Sequence, residues 1–266
     1  MFRLSDITLV GSMEELRGIP EGKVLINTIN AHSYNVAQKD EAFAEALVKG
    51  DYLIPDGSSI VKACRWLKAK SQPKERIAGW DLFSFEMNAL ERKSEKCKVK
   101  SEECEGRSEK WKVKSEKCGK VMFMGSSERV LRLIRERAAE DYPNLEIVTY
   151  SPPYKAEFTE EDNRAIVQAI NEAKPDLLWI GMTAPKQEKW TYQHWKELDI
   201  NCHVGTIGAV FDFYAGTATR APKWWQQHGL EWLYRLMIEP RRMWRRYVIG
   251  NPLFIWNIRK ELRGKN

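Results

Sequence analysis

Short runs of apolar residues alternate along this chain with longer stretches in which apolar residues recur at helical spacing. Each run has the length of a buried β-strand and leads into a turn or a helical pattern, which is typical of a parallel sheet wrapped by helices. Strands are predicted at residues 23–30, 52–61 (running into a helix), 121–127, 145–151, 176–182 and 202–213, and helices at residues 35–50, 128–142 and 159–173. The pattern therefore predicts an α/β protein with a Rossmann-like, mostly parallel sheet flanked by helices. Ligands of such sheets bind beyond the carboxyl ends of the strands.

The last stretch of the chain departs from this alternation. Residues 220–266 hold eleven Lys/Arg, three Asp/Glu and five of the eleven tryptophans, so this stretch has a net charge of +8 and residues 1–219 one of −2. Leucines recur at helical spacing, and Pro240 and Pro252 are expected to divide the stretch into short helices. We predict an α/β core over residues 1–219 and a basic, Trp-rich helical appendage over residues 220–266.

The composition of the appendage suits a membrane surface. Apolar and aromatic residues on one face of a helix and arginines on the other fit a bilayer interface with anionic lipid. Nucleic acid is the competing polyanion, but the acidic balance of the core and the lack of RRM, KH or helix-turn-helix signals argue against it. No run approaches the roughly 20 apolar residues that span a bilayer, and the N-terminus lacks the features of a signal peptide. We expect a cytoplasmic protein.

A charged repeat interrupts the core. Residues 94–104 reappear with changes at 108–118, and both copies consist almost wholly of Lys, Glu, Ser and Cys. This composition has little apolar surface to bury, so an exposed, hairpin-like or disordered insertion is predicted over residues 93–119. It would join a helix that ends near Arg92 to a strand that begins near Lys120, and a role as a docking loop is the alternative.

The cysteines give no framework for disulfides or metal. Their number, five, is odd, and a chain of this length builds a core without covalent staples. Zinc at Cys97, Cys104 and Cys118 is an alternative, but the gaps are long, no Cys-x-x-Cys occurs and no histidine lies nearby. Reduced thiols and no metal are expected.

Polar residues gather where the predicted strands end. Thr28 and Asn30 follow the first strand, Asp56 the second, Gly125 the third and Gln187 a later one. Each fits a cap or a turn when taken singly, and the Gly–Ser–Ser turn after residue 124 could hold a diphosphate through its backbone N–H groups. Together they predict one ligand-binding rim, on which His32 also lies.

Sequence blocks in a fixed order carry a family resemblance. They read NTIN, LIPDGSSIV, RIAGWDL, VMFMGSS, LLWIGMTAPKQEKW and VGTIGAVFDFYAGTATRAPKWWQQHGLEWLYRLMIEPRRMWRRYVIGNP. The chain resembles the WecG/TagA/CpsF family of bacterial glycosyltransferases over nearly its whole length except residues 93–119. The resemblance implies an inverting, metal-independent transferase of cell-surface polysaccharide biosynthesis. Its UDP-sugar donor would be an N-acetylmannosamine, its uronic acid or a glucose-type sugar, and its acceptor a polyprenyl-pyrophosphate-linked sugar. It further implies a peripheral protein on the inner face of the cell membrane, with an appendage that docks on lipid and helps to complete the active site.

The resemblance assigns residue roles that fit this chemistry. Inverting transfer needs a base for the acceptor hydroxyl and stabilisation of the departing UDP, and Asp56 aligns with the proposed catalytic aspartate. No Asp-x-Asp occurs, so no metal or other cofactor is expected and arginines would neutralise the diphosphate. The substrate-binding residues implied are Thr28, Asn30, Arg76, Gly125, Gln187, Arg235, Arg242 and Arg245, and Lys186, Gly79 and Asp212 are further candidates.

Simpler readings of these residues stay open at the level of sequence. Asp56 could cap a helix or form a turn, Arg76 could pair with Asp81 on the surface, and Gln187 could cap a helix. A membrane- or nucleic-acid-binding protein without transferase activity is the alternative function, with no need of Asp56. The exposed apolar appendage also predicts self-association into a homo-oligomer in solution.

Overall fold

A six-stranded parallel sheet forms the centre of the protein. The computed structural model describes residues 2–105 and 119–264, and their side chains except those of residues 98–105, 227 and 242. The described residues form strands β1 (Val24–Ile29), β2 (Tyr52–Pro55), β3 (Gly119–Gly125), β4 (Leu145–Tyr150), β5 (Leu177–Gly181) and β6 (His203–Thr206). All neighbouring pairs are parallel, in the order β2-β1-β6-β5-β3-β4. The predicted Rossmann-like α/β class is confirmed.

Helices connect the strands and cover both faces of the sheet. They are α1 (Met13–Arg17), α2 (Ala31–Ala37), α3 (Glu41–Lys49), α4 (Ser58–Leu67), α5 (Gly79–Glu105), α6 (Glu128–Asp141), α7 (Glu160–Ala173), α8 (Lys186–His194), α9 (Gly208–Tyr214), α10 (Lys223–Gln227), α11 (Glu231–Ile238), α12 (Pro240–Trp244) and α13 (Gly250–Arg263). The predicted helix at 159–173 is confirmed, and Thr159 caps it in a reciprocal box with Asp162. The predicted helix at 35–50 is instead two helices, because Asp40 caps a new start by accepting a hydrogen bond from the N–H of Phe43.

The sheet has an apolar core on each face. On one face Phe123 and Trp179 pack with aromatic residues of α5 and α9. On the other face Met122 and Leu178 pack with Ile166 of α7 and with residues of α8. Because successive side chains of a strand point to opposite faces, these near-continuous apolar runs fill both cores.

Two predicted boundaries differ from the structure by more than three residues. The apolar stretch at 202–213 is strand only to Thr206, and the remainder forms α9, which carries Phe211 and Tyr214 into the aromatic core. The helix predicted to end near Arg92 continues as α5 to Glu105, because Lys and Glu are strong helix formers even where they bury little surface. Residues 106–118 of the predicted insertion lie outside the described part of the chain.

The first part of the appendage consists of separate short helices, as predicted, whereas its last part, from Pro240 to Arg263, is one continuous helical path. Pro240 begins α12 as expected, but Pro252 does not break the chain and lies in the first turn of α13. A π-helical turn over Arg245–Ile249 joins the two helices. A proline has no N–H to donate and its ring crowds the preceding turn, and the wider π turn before Pro252 accommodates both effects.

Helix α13 packs on the core beside α2 and α4. Its buried Glu261 accepts hydrogen bonds from the backbone N–H groups of Leu4 (3.1 Å) and Ser5 (2.8 Å) and from the hydroxyl of Tyr34 (2.7 Å). The ring of Phe254 meets the Tyr34 ring edge-on at 5.3 Å. The end of the appendage is therefore held by the core.

Candidate active site

A cleft of about 930 Å³ opens at the carboxyl ends of the strands, where open parallel sheets bind their ligands. Core residues form its floor, and residues 151–158 and the appendage form parts of its wall. Of the residues singled out in the sequence, those that line it are Thr28, Asn30, His32, Asp56, Gly79, Lys186, Gln187, Asp212 and Arg235. The predicted rim is thus one continuous surface, although those residues are far apart in sequence.

Asp56 lies in the turn immediately after β2. Its backbone N–H donates to the carbonyl groups of Ile29 (2.8 Å) and Ile54 (3.0 Å), and Gly57 follows with a φ of 151°, which a residue with a side chain rarely adopts. Burial raises the pKa of the Asp56 carboxyl, and the carboxylate of Glu231 raises this pKa further. A carboxylate whose pKa is raised holds a proton more readily and is a better general base near neutral pH.

Asn30 orients Asp56 as well as capping α2. Its Oδ1 accepts hydrogen bonds from the backbone N–H groups of His32 (3.0 Å) and Ser33 (3.1 Å), which fixes the amide. The Asn30 side chain also acts on the Asp56 carboxyl as a hydrogen-bond donor does, which lowers the pKa of this carboxyl. Because the amide oxygen is engaged by the helix, the amide nitrogen is the group that donates to the carboxylate.

Arg76 pairs with the appendage and not with Asp81. Its Nη1 lies 2.8 Å from Oε2 of Glu231, which begins α11 and lines the cleft. Asp81 instead accepts a hydrogen bond from the backbone N–H of Ala78 (2.9 Å) and lies 3.8 Å from Arg220. The surface pairing considered for Arg76 is therefore wrong, and a core arginine is connected to the appendage at the cleft.

Gln187 and Glu188 lie in the first turn of α8 and are almost fully buried at the cleft. The Gln187 amide donates to Oε1 of Glu188 at 2.9 Å, and burial raises the pKa of Glu188 to about 7. Sequence reasoning did not single out Glu188, although it stands in the APKQE block beside Gln187. A carboxyl with this pKa exists in both protonation states near neutral pH.

Gly125 serves the packing of strands and does not itself line the cleft. Its φ is 117°, and a side chain there would overlap the carbonyl group of Gly181 on the neighbouring strand. Ser126 and Ser127, the next two residues, line the cleft instead. The turn belongs to the site as predicted, but the glycine is required by the close approach of β3 and β5.

The arginines of the appendage are placed differently from one another. Arg235 lines the cleft with its guanidinium 5.3 Å from the ring centre of Phe213, and Arg246 also lines it. Arg245 is exposed beside the Trp244 ring, at 5.6 Å, and lies outside the cleft, contrary to its expected role. The side chain of Arg242 is outside the described set. Arg246 is not among the substrate-binding residues that the resemblance implied, although it belongs to the RRY motif of the sequence.

His32 lies close to Arg246 on the cleft wall. Burial lowers the pKa of His32 to about 4, and the positive charge of Arg246 acts in the same direction. The imidazole is therefore neutral at physiological pH and adds no positive charge to the cleft.

The described residues include no cluster of three or more His, Cys, Asp or Glu side chains arranged to hold a metal ion. Cys64 and Cys202 are buried and separate, and Cys97 is exposed. The zinc alternative also involves Cys104 and Cys118, whose side chains lie outside the described set.

The chain is similar to a known protein family and to several named proteins. The model of the glycosyl transferase WecG/TagA/CpsF family matches residues 2–99 and 109–266. An N-acetylglucosaminyldiphosphoundecaprenol N-acetyl-beta-D-mannosaminyltransferase of Bacillus subtilis (strain 168) is 26% identical over 91% of this chain and 81% of its own length. Proteins of the same name from Bacillus spizizenii and Staphylococcus aureus (strain NCTC 8325 / PS 47) are 26% and 27% identical, over 97% and 90% of this chain and 88% and 81% of their own lengths.

The parallel sheet, the polar cleft at its carboxyl edge and these relatives define a glycosyltransferase of the α/β class. The chain belongs to the WecG/TagA/CpsF family, as its sequence blocks indicated. The unmatched residues 100–108 fall within the charged repeat, so this part is the chain's own departure from the family.

Proposed function

We propose that this protein transfers an N-acetylmannosamine-type sugar or a related hexose from a UDP-sugar to a sugar linked to polyprenyl pyrophosphate, with inversion and without a metal. The placement of Asp56 in the cleft carries the proposal, because burial raises its pKa and Asn30 orients its carboxylate. The names of the relatives support the lipid-linked acceptor and the N-acetylmannosamine-type sugar. The product would enter cell-wall polysaccharide biosynthesis.

The proposed reaction is a single displacement at the anomeric carbon. Asp56 takes the proton of the acceptor hydroxyl as its oxygen attacks, and the bond from the sugar to UDP breaks on the opposite side. Arg235 and Arg246 line the same cleft and supply positive charge for the departing diphosphate. Thr28, Gln187 and the turn at Ser126 and Ser127 offer hydrogen-bonding groups for sugar and phosphate.

The appendage is proposed to rest on the anionic inner face of the cell membrane. Among the residues that the structure describes, no helix is both long and apolar enough to cross a bilayer. The appendage does expose a set of large apolar side chains beside cationic ones, as interfacial helices do. These exposed side chains are Trp224, Trp232, Met237, Ile238, Trp244, Val248, Ile249, Ile255, Trp256 and Leu262.

Replacement of the base tests the proposal. Asp56→Asn should lower turnover of a UDP-sugar with a short-chain lipid-pyrophosphate-N-acetylglucosamine acceptor by about 10²–10⁴-fold, with UDP binding little changed by calorimetry. Asp199→Asn is the matched control, because Asp199 is exposed and precedes β6 at the opposite edge of the sheet. Near-wild-type turnover of folded Asp56→Asn would remove Asp56 from the mechanism. A wild-type protein without turnover on any UDP-sugar would favour a membrane-binding protein that is not a transferase.

A further inference from the structure

The appendage passes directly over the turn that carries Asp56. A side chain on Gly229 would approach the Ser58 hydroxyl to 3.0 Å, so this part of the appendage lies against the start of α4. Glu231 follows two residues later. From the core side, the N–H of Ile77 donates to the carbonyl of Pro55 (3.2 Å), which places Arg76 beside the same turn.

The two chain segments meet in an ion pair at this point. Nη1 of Arg76 and Oε2 of Glu231 are 2.8 Å apart, and each side chain is 22% exposed. Within the described chain, the charged groups that act on the Asp56 carboxyl are Glu231, Arg76 and Arg246. His32, next to Arg246, is uncharged because burial lowers its pKa to about 4.

We propose that Glu231 of the appendage holds the guanidinium of Arg76 and keeps it from pairing with Asp56, so that docking of the appendage leaves the carboxylate available as a base. Glu231 is thus a positioning residue, and the inference rests on the proposed role of Asp56.

The physical reason is competition for one guanidinium. Arginine binds a carboxylate through two parallel hydrogen bonds, and a positive charge within about 4–6 Å lowers a carboxyl pKa by roughly 1–3 units. Arg76 already acts on Asp56 in the lowering direction, and Glu231 acts in the raising direction. Without Glu231, the Arg76 guanidinium would therefore pair with the Asp56 carboxylate. This pairing would lower the pKa of Asp56 and make it a weaker base.

Carboxyl titration by ¹³C NMR measures this effect without relying on turnover. In full-length protein labelled at the aspartate γ-carbons, with Asp56→Asn identifying the resonance, Glu231→Gln should lower the pKa of Asp56 by about one unit. Arg76→Gln should raise it, because the cation is removed. Glu231→Asp keeps the charge and should leave the titration near that of the wild type. The acidic limb of the kcat/KM profile should move in the same directions.

The pKa of Asp56 is expected to change in opposite directions in Glu231→Gln and Arg76→Gln, and this difference separates the proposed role from that of a merely structural ion pair. If the pair only fastened the appendage, both variants would open the cleft, hydrate Asp56 and lower its pKa. A downward change in both variants, or no change in either, would overturn the proposal. Glu239→Gln removes a carboxylate elsewhere in the appendage and should have no effect. A wild type without turnover would count against the proposed transferase, whereas the NMR titration would still decide the role of Glu231.

Discussion

The division of the appendage arginines between cleft and surface makes a quantitative prediction. Arg235 and Arg246 line the cleft, whereas Arg241 and Arg245 are exposed. A hydrogen bond to a charged group contributes about 1.5–3 kcal/mol, so Arg235→Ala or Arg246→Ala should lower turnover by roughly 10- to 100-fold. Arg246→Ala should also raise the pKa of Asp56, because Arg246 acts on this carboxyl in the lowering direction.

The assay separates chemistry from anchoring by using a detergent-soluble acceptor for turnover and anionic vesicles for binding. On the soluble acceptor, Arg241→Ala and Arg245→Ala should behave nearly as the wild type. On vesicles each should lose about 1 kcal/mol of binding, roughly a fivefold change, and salt should weaken binding of every variant.

Two results would refute this reasoning. Equal losses of turnover in Arg245→Ala and Arg246→Ala would show that lining the cleft does not determine which arginine contributes to turnover. Failure of the full-length protein to bind anionic vesicles at low salt would overturn the membrane proposal.

Further predictions concern metal, stability and pH. Activity should survive excess chelator, and full loss with rescue by Mg²⁺ or Mn²⁺ would reveal a metal site. Glu261→Ala leaves three buried donors without their acceptor and should lower the free energy of unfolding in urea by about 3–5 kcal/mol, against a small effect of Arg259→Ala on the exposed side of α13. Burial raises the pKa of Glu188 from 4.5 to about 7, so between pH 4.5 and about 7 the folded state keeps a proton that the unfolded state releases. Stability should fall as pH rises between these values, and Glu188→Gln should remove this part of the slope; an unchanged slope would contradict the assignment.

The sequence alone was sufficient for the parallel sheet and for the position of the cleft. Strand β5 is an apolar run bounded by polar residues and Gly181, and α7 has its own capping box at Thr159, so both depend on neighbours within a few residues. Polar residues at strand ends predict a shared rim because parallel strands end at one edge. The family blocks identified Asp56, Asn30 and Gln187 as candidates, and the structure brings all three to the cleft.

Some features of the structure have no signal in the neighbouring sequence and depend on the close packing of segments that are distant along the chain. Gly125 begins a Gly–Ser–Ser turn that could hold a diphosphate, but its requirement for glycine comes from Gly181, which becomes its neighbour only through the order of the strands. Helix α13 belongs by composition to the appendage, yet Glu261 is buried against residues at the other end of the chain.

The electrostatics of the cleft likewise depend on the tertiary structure. Arg245 and Arg246 are adjacent in sequence, and the packing of the π-helical turn turns one outward and the other into the cleft. Arg76 and Glu231 are 155 residues apart, and no local pattern links them. Hydrophobic periodicity determines which elements form, because it reflects burial along a few turns of chain. Whether a charged side chain lies in the cleft or on the surface depends on how those elements pack together. For the appendage, this is determined by its tertiary contacts with the core.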